Sequence, residues 1–331
     1  MKYRKLGKSD LVVSEISLGC WTMGGRNWVD GVPNGWADVD ESEVREAIYY
    51  AIDNGVNHFD NADVYGNGRA ERMLARILGA RTNDFIIATK VGWFKGTAEH
   101  AYDPLHIRHQ CEQSLKNLNR DYIDLYYFHH GNFGKNDMYL DDAIEVIYRL
   151  KAEGKIRAIG QSAYSNEDFV KLIPKVNPDV LQSSASALDD HFVADRTPVR
   201  KMLEDFGISF IAFGPVAQGV LLNKYDKKNP PKFEDGDHRK NSARFSAENL
   251  EKVAPGLEKI MSHFGSDAES LARVALQYML KYNVVGSVIP GFRNLNQVKI
   301  NLASADNPLS DNDFELVKDV FKDINPGSKA S

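Results

Sequence analysis

The chain has 331 residues, 43% hydrophobic and 26% charged. That is close to the globular average and enough for one large domain or two ordinary ones. Its net charge of −5, with acids and bases interspersed, offers no basic face for nucleic acid or an anionic membrane. No run approaches the length needed to span a bilayer, and the N-terminal MKYRKLGKSDLVV lacks an apolar signal core. Two cysteines, Cys20 and Cys111, make no disulfide framework and fit a reducing compartment, so a soluble cytoplasmic protein is expected. The sequence sets no oligomeric state.

Residues 2–15 read as a short hairpin turned by GKSD. Beyond it, β-branched or aromatic runs alternate with longer amphipathic ones. The apolar runs are EISLG (15–19), GVNHFD (55–60), FIIATK (85–90) and YIDLYYF (122–128), then IRAIG (156–160), DVLQS (179–183), ISFIAF (208–213) and VGSVIP (285–290). Between them lie helical patterns. One opens at Asp40, buries Val44, Ala47, Ile48 and Ala51, and stops at Asn54-Gly55. Asp103-Pro104 caps another, and a third runs from Asp141 to Lys151. Residues 24–38 and 223–245 break the alternation as long polar or aromatic loops, and the tail from 325 to 331 reads as disordered.

Eight strands alternating with helices predict a parallel sheet covered by helices, closed as a (β/α)8 barrel in one domain spanning the chain. A doubly wound sheet would want G-x-G-x-x-G after the first strand. The chain has GCWTMGG there.

Three strands end on polar groups: Asp60, with Tyr65 in the turn that follows, then Lys90, then His129. In a barrel these ends share the catalytic face. A tyrosine hydroxyl titrates near ~10, too high for easy proton transfer, and a nearby ammonium lowers it. Lys90 is expected to supply that charge, Asp60 to hold Lys90, and His129 to donate a hydrogen bond to a carbonyl oxygen. The set suits alkoxide formation at a carbonyl and lacks a nucleophile. Its partner is then a hydride, which a nicotinamide can supply. Adjacent His129 and His130 have no third ligand at metal spacing, so no metal is expected.

The chain resembles the aldo-keto reductase family along nearly its whole length. The resemblance lies with the branch that includes bacterial inositol-cluster reductases and potassium-channel β subunits. It rests on the hairpin KYRKLGKSDLVVSEISLG, on D-x-A-x-x-Y-G at 60–66, on Thr89-Lys90, and on R-D-Y-I-D-L-Y-x-x-H ending at His129. It continues through G-K-I-R-x-I-G at 154–160, I-A-x-x-P-x-A-Q-G at 211–219 and S-V-I-P-G-x-R-N-x-x-Q-x-x-x-N at 287–301.

The resemblance implies a tetrad of Asp60, Tyr65, Lys90 and His129, with Tyr65 as general acid or base. It also implies NADP(H) lying across the barrel mouth without a Rossmann fold. Trp21 and Asp60 would border the coenzyme, and Ser162 and Gln182 would hold its carboxamide. Phe213, Gly214, Pro215, Val216, Gln218, Gly219 and Leu221, with Lys224, would wrap the pyrophosphate. Gly291, Arg293, Gln297 and Asn301 would hold the adenosine end. Arg293 beside a helix start can grip a 2′-phosphate, which favours NADP(H) over NAD(H).

Three positions depart from the family pattern. Ala163 stands where an asparagine usually contacts the carboxamide, Ala185 where an aromatic usually stacks, and Gly214 where a serine is usual. A lost ring and a lost hydrogen bond weaken nicotinamide binding by about 1–2 kcal/mol each. These departures motivate the alternative of an NAD-linked sugar or polyol dehydrogenase. A non-catalytic cofactor-sensing subunit is the reading from another class, and the intact His129 speaks against it. Trp28, Trp93 and His130, with Trp36, Phe94, Asn27, Asn34, Asp189 and Asp190, are expected to wall a small carbonyl or alcohol substrate, for which a sugar is one candidate.

Overall fold

The computed structural model describes residues 1–29, 31–36, 39–240 and 242–325. Strands β1 (Tyr3–Lys5) and β2 (Val12–Ser14) form the N-terminal hairpin. Next come β3 (Leu18–Gly19), then β4 (Arg26–Val29) and β5 (Val32–Gly35), which pair antiparallel as a second hairpin. The barrel continues as α1 (Glu41–Asp53), β6 (His58–Asp60), α2 (Arg69–Leu78), β7 (Ile86–Val91), α3 (Pro104–Leu118) and β8 (Ile123–Phe128). It goes on through α4 (Leu140–Ala152), β9 (Ile156–Ser162), α5 (Asn166–Val176), β10 (Val180–Ser184), α6 (Pro198–Asp205) and β11 (Ser209–Phe213). Helices α7 (Ala247–Phe264) and α8 (Ala268–Lys281), strand β12 (Val285–Ile289), and helices α9 (Leu295–Leu302) and α10 (Asp311–Phe321) complete it.

The eight strands β3 and β6–β12 pair parallel in chain order. The two outer strands of that order meet as well. Ser17 N–H donates to the Val288 carbonyl and Val288 N–H to the Glu15 carbonyl, both at 2.9 Å. The sheet is therefore a (β/α)8 barrel, and each expected strand lies within a few residues of its apolar run.

Local signals act where the sequence places them. The Asp40 carboxylate accepts from Ser42 N–H to start α1, whose buried face is Val44, Ala47, Ile48 and Ala51. Asp103 caps α3 with Pro104 in its first turn. Among the described residues, no helix is long and apolar enough to cross a membrane.

The loop expected over 24–38 carries structure: β4 and β5 pair through Trp28↔Pro33 and Val29↔Val32. The tail expectation also needs a correction. Asn325 is buried, its Nδ2 donating to the Ala187 carbonyl and its Oδ1 accepting from Asp190 N–H. Residues 326–331 lie outside the described residues.

The N-terminal hairpin closes the barrel floor. Leu6, Leu11 and Val13 join Ala88, Leu125, Tyr127, Ala158, Val180, Ile211 and Ile289 in one interior cluster. A β-carbon on Gly286 would stand 2.6 Å from Leu6 Cδ2, so the plug packs closely on β12 at this glycine. Leu6 is fully buried. Leu6→Ala is expected to lower unfolding free energy by about 2–4 kcal/mol in denaturant titration, with the fold retained.

Candidate active site

At the C-terminal rim, Lys90 leaves β7 and runs into the barrel, fully buried. Its ammonium donates to Asp60 Oδ1 at 2.5 Å, the Asn61 carbonyl at 2.7 Å and the Tyr65 hydroxyl at 3.3 Å. All three N–H donors are spent. Asp60 ends β6, and its other oxygen accepts from Gln182 Nε2 of β10 at 2.7 Å. The carboxylate is thus held by strands on opposite sides of the barrel. His129, just past β8, sets its ring edge-on to Tyr65 with centroids 5.9 Å apart. Among the described residues its Nδ1 is buried without a hydrogen-bond partner.

The Tyr65 turn is fixed by close backbone approach. Gly66 has a left-handed φ of +59°, and a β-carbon there would stand 2.1 Å from the Gly24 carbonyl. On Gly24 a β-carbon would meet the Tyr65 carbonyl carbon at 2.8 Å. Arg69 Nη1 donates to the same Gly24 carbonyl at 2.7 Å, and Asp63 N–H reaches the Lys90 carbonyl at 3.2 Å. On the outer face of β7, Thr89 Oγ1 donates to Glu71 Oε1 of α2 at 2.6 Å. One strand therefore carries Lys90 inward and ties the helix after Tyr65 outward, as its alternation requires.

The electrostatics correct one expectation. Burial, and next the Asp60 carboxylate, hold the Tyr65 phenol well above its ordinary value. The net shift is therefore upward, against the direction anticipated. Tyr65 keeps its proton. Burial, with Lys90 and then His130 nearby, holds the His129 imidazole well below its usual range, so that ring is neutral.

Above this floor lies a cleft of about 1120 Å³, lined by Asp60, Tyr65 and His129 and by Trp21, Ser162, Gln182 and Phe213. The volume is slightly above the range of about 300–1,000 Å³ usual for ligand sites. Gly214, Val216, Gln218, Gly219 and Lys224 form one wall, and Gly291, Arg293, Gln297 and Asn301 another. Gly214 has a φ of +66°, left-handed backbone that a serine would adopt only with strain. Ser162 Oγ is buried at the cleft and has no hydrogen-bond partner among the described residues. Lys224, Arg239, Arg244 and Arg293 also line the cleft, with the Arg239 and Arg293 guanidiniums 4.6 and 5.7 Å from the centre of the Trp36 ring. Asp237 grips Arg239, at 2.9 Å and 2.6 Å. Burial, then the nearby Arg293 and Arg239 charges, lower the Lys224 pKa. An unpartnered hydroxyl and several cations on one cleft fit a ligand that carries both an amide and phosphate.

Several expected contacts fall elsewhere. Pro215 is not among the lining residues, and Leu221 turns into the hydrophobic core while Leu222 faces the cleft. Trp28 does not line it either. Alternation in β4 sends Asn27 and Val29 to the cleft and leaves the indole 59% exposed on the other face. His130 is structural: Nε2 donates to the Gly92 carbonyl at 2.8 Å and Nδ1 accepts from Asn132 N–H at 3.1 Å. Asp190 is buried under the Tyr278 and Tyr282 hydroxyls, each 2.6 Å away. Asp189 pairs with His191, and neither Asp189, Asp190 nor Phe94 reaches the cleft. Ala163 and Ala185 are buried in the core. Trp93 does line the cleft, packed edge-on to His130 at 4.7 Å. Tyr164, His238, Arg239 and Arg244 also line it, and the sequence reading passes over them. The two basic residues sit in or next to a polar loop whose charge was the only signal.

An eight-stranded parallel barrel with a buried ammonium against a tyrosine hydroxyl, under a cleft large enough for a dinucleotide, defines the class of (β/α)8 oxidoreductases. The Aldo/keto reductase family model matches residues 15–322, and the chain belongs to that family of nicotinamide-linked enzymes. Over 92% of its length it is 31% identical to the uncharacterized oxidoreductase YqkF of Bacillus subtilis, covering 91% of that protein. It is 28% identical to a probable voltage-gated potassium channel subunit beta of Arabidopsis thaliana, over 92% of each chain. The solved glycerol dehydrogenase AKR11B4 of Gluconobacter oxydans superposes with a TM-score of 0.79. It is 25% identical over 97% of this chain and 95% of that one.

The pH dependence follows from the two directions. His129, depressed, is already neutral above its ordinary range, and Tyr65, raised, stays protonated through mild alkali. The rate of carbonyl reduction, as kcat/KM, is expected to be level from roughly pH 7 to 9. An alkaline fall centred within that window would show Tyr65 ionising there.

Proposed function

We propose that the protein is an NADP-dependent oxidoreductase acting between an alcohol and the carbonyl of an aldehyde, ketone or sugar-derived substrate. The observation that carries this reading is the Tyr65 hydroxyl, 3.3 Å from Lys90 Nζ and facing the cleft beside His129. When bound, the coenzyme supplies or takes up the hydride at carbon. The chain handles the proton at oxygen. Tyr65 Oη–H donates to the carbonyl oxygen as that oxygen becomes an alkoxide, a stronger base than phenolate. Lys90 then stabilises the phenolate left behind, and Asp60 keeps Lys90 charged and aimed. The neutral His129 ring offers an N–H that orients the substrate oxygen. Trp21 and Trp93 make aromatic walls, and the Asn27 and Asn34 amides beside them suit a hydroxylated substrate.

For the coenzyme, Ser162 would take the carboxamide, the Gly214–Gly219 backbone and Lys224 the pyrophosphate, and Arg293 a 2′-phosphate. Gln182 would serve mainly by holding Asp60, since its amide nitrogen is already bonded there. Trp21, stacked on Tyr65 at 5.9 Å, would border the nicotinamide end in place of the ring absent at Ala185. The two cysteines, both buried and unpaired, suit a cytosolic setting for a single-domain barrel.

A second reading is polyol oxidation with NAD, favoured by the likeness to a glycerol dehydrogenase and by the alanines at 163 and 185.

Two measurements test the proposal. Tyr65→Phe should lower kcat for carbonyl reduction by about 10²–10⁴-fold while leaving coenzyme affinity near wild type. Unchanged turnover would remove Tyr65 from the chemistry. Arg293→Ala should weaken NADPH binding by about 10–100-fold and leave NADH nearly unchanged, read by fluorescence titration. Tighter wild-type binding of NADH would instead favour the second reading.

A further inference from the structure

Two aromatic residues flank His129 along the rim. Trp93 follows β7 and Tyr164 follows β9, with His129 after β8 between them. Both rings line the cleft, and both are partly exposed there. Each is nevertheless fixed by its neighbours. A β-carbon on Gly92 would stand 2.6 Å from the Tyr102 hydroxyl and 3.1 Å from His129 Cβ, so Trp93 starts from a close backbone contact. Its ring then packs edge-on against His129 at 6.2 Å and His130 at 4.7 Å. On the other side, Ser183 Oγ of β10 donates to the Ala163 carbonyl at 2.6 Å. Ser165 caps α5, its Oγ accepting from Asp168 N–H at 3.1 Å. Tyr164 lies between these two anchored residues and sets its ring edge-on to Phe213 at 6.4 Å.

The two aromatics meet at the tyrosine oxygen. Burial raises the Tyr164 pKa, and the Trp93 indole, as its hydrogen-bond partner, works the other way. An indole N–H only donates, so it occupies a lone pair of the hydroxyl and leaves the Tyr164 proton free to donate elsewhere. Tyr164 also acts on Tyr65, raising that phenol after burial and Asp60. Two hydroxyl donors therefore serve the same end of the cleft, and Tyr65 is already given to the carbonyl oxygen.

We propose that Tyr164 sets substrate preference by donating a hydrogen bond to an oxygen on the carbon next to the reacting carbonyl. The favoured class is then 2-hydroxy and 2-oxo aldehydes or ketones, and vicinal diols in the direction of oxidation. The proposal rests on the oxidoreductase reading above and narrows it. A carbonyl oxygen held between Tyr65 and His129 brings its neighbouring carbon beside Trp93 and Tyr164. An alkyl group at that carbon would cover the Tyr164 proton without accepting it. A site that donates to a substrate oxygen discriminates against the analogue lacking it, because the donor is left unpaired.

The test is a matched pair of aldehydes. Lactaldehyde and 2-methylpropanal differ by a hydroxyl in place of a methyl on the carbon next to the carbonyl. Their kcat/KM values, expressed per free unhydrated aldehyde, are measured with saturating NADPH in wild type and Tyr164→Phe. Wild type should prefer lactaldehyde, and Tyr164→Phe should lower that preference by about tenfold. NADPH titration by fluorescence shows that the variant still folds and binds. Wild type without a preference for lactaldehyde, or the same preference in both proteins, would overturn the proposal and leave the oxidoreductase reading intact. Wild-type protein that binds neither NADPH nor NADH would overturn both.

Discussion

Lys90 places an ammonium where the barrel leaves it no water, and a charge so placed persists only if every donor finds a partner. The three acceptors are Asp60, the Asn61 carbonyl and the Tyr65 hydroxyl. Two of these are fixed by the backbone of β6 and its exit, so the third is fixed as well. Gln182 reaches across from β10 to take the remaining Asp60 oxygen. The pair therefore acts as a tie between β6, β7 and β10 as well as a charge. Removing either partner would leave a buried, uncompensated ion, which is why the proton chemistry and the shape of the rim are hard to separate here.

The same constraint explains the division of labour along β7. Its inward residue serves the cleft and its outward neighbour, Thr89, serves α2 through Glu71. Glycines then do what side chains cannot. Gly24 and Gly66 let two loops come into backbone contact, and the hydroxyl of Tyr65 is located by that contact as much as by Lys90. Precision at the site thus comes from strand ends and tight turns. Much of the surrounding wall comes from the two long loops, through residues such as Asn27, Asn34, Lys224 and His238.

Most of the barrel is legible in the sequence because buried parallel strands are apolar along most of their length, as in IIATKV and IDLYYF, and because caps such as Asp40 and Asp103 act locally. The four polar strand-end and turn residues are legible for the same reason: each interrupts or ends an apolar run. What the sequence hides is direction and environment. Trp28 and Asn27 are neighbours with equal claims on a wall, and the pairing of β4 with β5 decides between them. His129 and His130 read alike, yet one faces Tyr65 while the other spends both nitrogens on backbone. The phenol of Tyr65 is held up by burial and Asp60, a balance that no spacing of residues reveals. His238 is hidden because its partners, the Trp21 ring, the Gly35 carbonyl and the Gln218 amide, come from other parts of the chain.

The leucine and valine plug from the N-terminal hairpin has a kinetic meaning beyond its stability. With Leu6, Leu11 and Val13 packed against Ala88, Leu125 and Ile211 inside the barrel, the described residues leave the approach to Tyr65 at the rim, where the cleft lies. Two molecules that share one approach do not bind independently, because the deeper one has to enter before the other.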